Sequence, residues 1–149
     1  MGQLLADALP ENLKQGFAER NITIGSVIKI YDKIAKKEKW HLIVGISDNK
    51  LLTASVRINS NLNTNCIPAS LRVYHFHITK KENLFLEHDS YVDCSKLLIH
   101  EIKDFISCIK SNAGNLLGQM PEKELDHVRA TIAICPVIAQ KQKAMFNLQ

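Results

Sequence analysis

Apolar positions change rhythm along this chain. From residue 25 to about 95 they come in short bursts between polar turns, and beyond Leu97 they recur every three or four residues. The first rhythm is that of strands and the second that of helices. Strands are expected at 27–31, 41–47, 51–58, 71–78, 84–86 and 91–94, with Asp48-Asn49 turning one hairpin and the asparagine-rich stretch 59–65 forming a loop. Along 71–78, Tyr74, Phe76 and Ile78 fall on one face and His75 and His77 on the other, as in a sheet with one wet side.

The helical rhythm is carried by Ile99, Ile102, Ile106 and Ile109, which predict a helix over 99–109. Pro121 then opens a second, with Leu125, Val128 and Ile132 on one face, and a third helical piece follows Pro136. A short helix over 4–17, with Pro10 early in it, reads as an appendage. Between the two rhythms lies a polar knot, His88-Asp89-Ser90. Short hairpin-linked strands leave edges exposed in an open sheet, so closure into a small barrel is expected. The predicted class is mainly β with C-terminal helices, in a single domain over 1–149. Its parts are an N-terminal appendage over 1–20, barrel strands over 25–95 and a mainly helical segment over 97–146.

Composition narrows the classes. The 149 residues are 46% apolar and 23% charged, which fits a globule with its own core rather than a disordered chain. No apolar run approaches the roughly 20 residues that span a bilayer. The first twenty residues hold Asp7, Glu11 and Glu19 and lack a basic stretch followed by an apolar one, so a cytoplasmic location with no membrane association is expected. Cys66, Cys94, Cys108 and Cys135 show no CxxC or Cys/His ligand spacing and read as free thiols. His75 and His77 alone are too few to hold a metal, so neither a metal nor a cofactor is expected.

The net charge of +4 permits an anionic partner. Lys33, Lys36, Lys37 and Lys39 crowd the link between the first two strands, either as a solvated loop or as phosphate contacts. Walker loops, dinucleotide-binding glycines, HExxH and nucleophile elbows are all missing. Other polar groups can converge, because a hairpin sets the start of one strand beside the end of the next. Lys39 and His41 would then meet Ser55, Arg57, Asn59 and Ser60 at one rim. A proton-exchanging His41, a charge clamp of Arg57 with Lys39, and Ser55 or Ser60 to position the phosphate would suffice for metal-free attack of a ribose 2′-hydroxyl on its own phosphate.

Five stretches carry a resemblance. Gly25-Ser26-Val27-Ile28-Lys29-Ile30, Trp40-His41-Leu42-Ile43-Val44-Gly45-Ile46-Ser47 and Leu52-Thr53-Ala54-Ser55-Val56-Arg57-Ile58 follow one another as in the opening strands of the MazF/PemK toxin endoribonucleases. Asp89-Ser90-Tyr91-Val92-Asp93-Cys94-Ser95-Lys96-Leu97 resembles that family's short strand before its first helix, and Gly118 to Val128 its closing helix start. The resemblance implies an SH3-like barrel, a homodimer, cleavage of single-stranded RNA without metal, and an antitoxin protein that blocks the groove. The family's Arg-Pro pair is replaced here by Lys39-Trp40-His41, so its catalytic arginine is missing.

Two readings follow. One is a toxin-like endoribonuclease with His41, Arg57 and Ser55 catalytic and Lys36, Lys37, Lys39 and Ser60 holding RNA. The other is a non-catalytic barrel that binds RNA or a partner protein through the same groove. The apolar segment 132–146 is expected either to pair two copies or to cover its own barrel.

Overall fold

A computed structural model of the chain describes residues 9–149. Helix α1 (Glu11–Asn21) leads into three long antiparallel strands, β1 (Ser26–Asp32), β2 (Lys37–Ile46) and β3 (Leu52–Asn59). A four-residue helix, α2 (Ala69–Arg72), precedes β4 (His75–Ile78) and β5 (Ser90–Asp93). Then come β6 (Leu98–Glu101), α3 (Ile102–Ser111), β7 (Leu116–Gln119), α4 (Glu122–Ile134) and α5 (Gln140–Met145).

The sheet runs β4-β5-β3-β2-β1-β7, and β6 pairs with the half of β3 that β5 leaves free. Its end strands, β4 and β7, do not pair with each other, so the sheet is open. This corrects the expected SH3-like barrel of mainly β class: helix and strand have comparable shares, and the layers are helix, sheet, helix. The physical reason lies in the central strands, which are apolar on both faces. Val27, Leu42, Val44, Ala54, Val56 and Ile58 face α4 and α5, where Leu125, Val128, Ile132 and Phe146 complete a first core. Ile28, Ile30 and Ile43 face α1 and α3, where Ala18, Ile22, Phe105 and Ile109 complete a second. A barrel has one interior for one face; two buried faces demand two covering layers.

The edges that closure was meant to remove are instead kept short, at four residues in each end strand. Helix α1 is no loose appendage, since Ala18 and Ile22 are buried in the second core and Glu11 pairs with Lys110 of α3 at 2.6 Å. The part of the expected helix over 1–8 lies outside the described residues.

Three local expectations change. Ile99, read as helical, sits in β6, because the free half of β3 takes it as a strand partner and the helix begins only at Ile102. Residues 71–74 close a helical turn set by Pro68, with Arg72 tied to the carbonyls of Ile67 and Thr64. Residues 84–86 form a turn, with Leu84 in solvent and Leu86 in the first core. The segment 132–146 covers its own sheet through Ile132, Cys135, Ile138 and Phe146. Lys143, 1% exposed, donates from Nζ to the carbonyls of Ala133 and Cys135 and so satisfies the end of α4. All four cysteines are free thiols. Among the described residues no helix is long and apolar enough to cross a membrane.

Candidate functional site

Strand parity decides where each polar side chain goes. On β2, Lys39, His41 and Ile43 share the face toward α1 and α3, whereas Trp40, Leu42 and Val44 share the other. His41 lies opposite Arg57 in the ladder, and Ile43 opposite Ser55. Hairpin pairing therefore does bring His41, Ser55 and Arg57 together. His41 and Ser55 meet in the interior, and Arg57 reaches them half-buried.

The ring of His41 and the hydroxyl of Ser55 have no exposed surface. His41 Nδ1 lies 3.1 Å from Ser55 Oγ, and His41 Nε2 lies 3.2 Å from Asp32 Oδ2. An ionised carboxylate only accepts, so Nε2 carries the proton toward Asp32 and Nδ1 accepts from Ser55. Asp32, 3% exposed, also receives the fork of Arg57, Nε to Oδ2 at 2.6 Å and Nη2 to Oδ1 at 3.0 Å. The amides of Ile34 and Ala35 donate to Oδ1 as well, which closes the β1–β2 turn.

Burial alone would raise the pKa of Asp32. The Arg57 guanidinium outweighs it, with help from the Ala35 amide and His41, and holds the carboxyl well below its usual range. Burial, and then the neighbouring His100, push His41 down to about 4 against the pull of Asp32. The ring of His100 stands edge-on to His41 at 5.6 Å and to Phe105 at 5.3 Å. At neutral pH this is a closed network around a neutral imidazole, with no surface on which His41 or Ser55 could meet a substrate. Cys94 is equally inert: burial raises its thiol to about 12.

The other face opens outward. A cleft of about 420 Å³ lies between the β1–β2 hairpin and the segment around the polar knot, lined by Lys29, Trp40, Ser60, Glu87 and His88 among others, and also by Lys39, whose place in the strand starts it on the His41 face. Trp40 lies opposite Lys29 on β1 and Ile58 on β3, and its ring stands 6.5 Å from that of Phe85. Lys33, Lys36, Lys37 and the ring of Tyr31 are exposed along the same hairpin; Tyr31 shares the Trp40 face, whereas Lys37, opposite Asp32, starts on the other. Lys36 turns the hairpin at φ 56°.

Of the residues read as RNA contacts, Lys39 and Ser60 line the cleft, and Lys36 and Lys37 are exposed on the hairpin that leads to it. Lys39 is bonded to Asn59 at 2.7 Å, and burial followed by the charges of Lys37 and Arg57 lowers its pKa. Sequence reasoning missed Asp32 and His100 in the closed cluster, and Trp40, Lys29, Glu38 and Glu87 in the cleft. Trp40 carried a usable signal, as the single tryptophan beside a lysine run. His75 is bonded to the Leu71 carbonyl and faces Asp93 at 3.4 Å, and no group of three or more metal-ligating side chains gathers among the described residues.

No family model matches this chain, and no curated protein matches it either. The resemblance to the MazF/PemK family therefore does not hold. Its motifs are short, and the open sheet between two helical layers departs from the barrel it implied. The toxin, SH3-like and endoribonuclease labels lose their support with it.

Proposed function

We propose that this chain binds single-stranded RNA in the cleft beside Trp40 and does not cut it. The carrying observation is that the only tryptophan lines an open cleft together with Lys29 and Lys39, on a hairpin that exposes three further lysines. An indole offers a stacking face to any base, and flanking ammonium groups offer contacts to the backbone phosphates. The non-catalytic part of this reading is supported by the burial of His41 and Ser55 and by the engagement of Arg57 with Asp32. A cytoplasmic setting belongs to the same reading. Neither an antitoxin nor a homodimer does, because the first rested on the family resemblance and the apolar segment 132–146 is occupied in the chain's own core.

The test is titration of labelled oligouridine of about eight nucleotides, followed by anisotropy and by Trp40 emission. Three phosphate contacts at a slope near −0.7 each make binding about 20-fold weaker between roughly 50 and 200 mM salt. Trp40→Leu should weaken it by about tenfold or more, the size of one base–aromatic stack. Lys29→Gln with Lys37→Gln should lower the salt slope without disturbing the core. Lack of binding at about 100 µM protein, or full affinity in Trp40→Leu, overturns the proposal. Cleavage of the RNA during the titration would overturn its non-catalytic part.

A further inference from the structure

The cleft is not a simple phosphate groove. Besides Lys29, Lys39 and His88 it is lined by two carboxylates, Glu38 and Glu87. A surface that held only phosphate would be weakened by both, since each repels an anionic backbone. Carboxylates in such a place fit a ligand that carries negative charge at one point and hydrogen-bond donors at another.

The two glutamates differ in availability. Glu38 leans toward Lys29, with Oε2 at 3.9 Å from Nζ. The Glu87 side chain has no hydrogen bond or ion pair with any described residue. It precedes His88, whose Nδ1 donates to the Asp89 carbonyl, and Ser90, whose hydroxyl donates to the His88 carbonyl, so the backbone that carries it is braced.

We infer that Glu87 reads the base stacked beside Trp40 and selects guanine. An ionised carboxylate is acceptor-only, with two oxygens side by side. Guanine alone presents two adjacent donors, N1–H and the N2 amino group, along its Watson–Crick edge, the edge that RNA readers use on unpaired bases. Adenine and cytosine place a ring acceptor beside their amino group, and uracil flanks its single N3–H with two carbonyls, so each sets a lone pair against one carboxylate oxygen. The inference rests on the RNA-binding reading of the same cleft.

Its experiment uses the full chain and the single tryptophan as an internal probe. Oligouridine of about eight nucleotides is compared with the same strand carrying one central guanosine, adenosine, cytidine or inosine. The guanosine strand should bind about tenfold more tightly than oligouridine, within the discrimination expected of a bidentate pair. Inosine keeps N1–H but lacks the amino group and should lose most of that gain. Glu87→Gln, which replaces one acceptor by a donor at unchanged size, should bring the guanosine-to-uridine ratio close to one. Quenching of Trp40 by all strands with equal affinity would overturn guanine selection while leaving RNA binding in place. A guanosine preference that persists in Glu87→Gln would overturn the role of Glu87, and failure of every strand to bind would sink both readings.

Discussion

Lowering the pH from about 7 to about 4.5 should weaken this fold through one side chain, His41. In the folded chain its pKa is pushed down to about 4, so as the pH drops through the ordinary 6.5 the unfolded chain takes up a proton that the folded chain refuses. Stability then falls with falling pH, and the loss ends near pH 4, where folded His41 is protonated too. At about 1.36 kcal/mol per pH unit across that interval, the full loss is about 3 kcal/mol. No solvent discount applies, because His41 has no exposed surface.

The groups around it bear on the size. Asp32 pulls the pKa up through charge and hydrogen bond, His100 and Arg57 push it down, and Ser55 and Phe105 supply no charge. The measurement is urea unfolding at several pH values between 7 and 4.5, on the wild type and on His41→Gln, whose amide can still donate toward Asp32 and accept from Ser55. The variant should be less stable at pH 7 but should lose about 2 kcal/mol less on acidification, with a residual slope from His100, whose pKa burial also lowers. Parallel curves for the two proteins would refute the reasoning, since they would mean that His41 titrates alike in the folded and unfolded chain.

Two further outcomes test the packing. Asp32→Ala strands the Arg57 guanidinium, the His41 ring and two turn amides, and should cost about 3–5 kcal/mol in urea unfolding, with part of the loss recovered on adding Arg57→Met. Lys143→Met leaves the carbonyls of Ala133 and Cys135 unpaired under the first core and should cost about 2–4 kcal/mol, read as a lower thermal midpoint.

Much of the local structure is legible in the sequence. Pro10 and Pro121 stand immediately before the first residues of α1 and α4, and the hairpin over Asp48-Asn49 joins β2 to β3. The convergence of His41 with Ser55 and Arg57 also follows from hairpin register alone. What register does not give is depth. Whether a strand face is wet depends on elements far along the chain, here α1 and α3, which cover the His41 face. One local signal did point that way: Leu42-Ile43-Val44 is an unbroken apolar run in a strand, and a half-exposed strand alternates. Read strictly, that run requires cover on both faces and argues against a barrel with a polar outside. The late strands carry a weaker signal. β6 is four residues long, and its Ile99 happens to stand at helical spacing from Ile102, so only the unpaired half of β3 decides its state.

Trp40 and His41 are neighbours in sequence and yet belong to different environments, because consecutive strand residues point to opposite faces. The proton-active group went to the sealed side, with Asp32 and Ser55, while the stacking group went to the side that opens between lysines and glutamates. A site argued around position 41 and one argued around position 40 thus make opposite demands on the same hairpin. Substitution at 41 should move the acid stability of the fold and leave RNA affinity at neutral pH near that of the wild type. Substitution at 40 should move RNA affinity and leave the acid slope, since Trp40 lies outside the Asp32 network. If both substitutions changed both properties, the sheet would not be insulating its two faces, and the division of this chain into a closed structural cluster and an open binding cleft would fail.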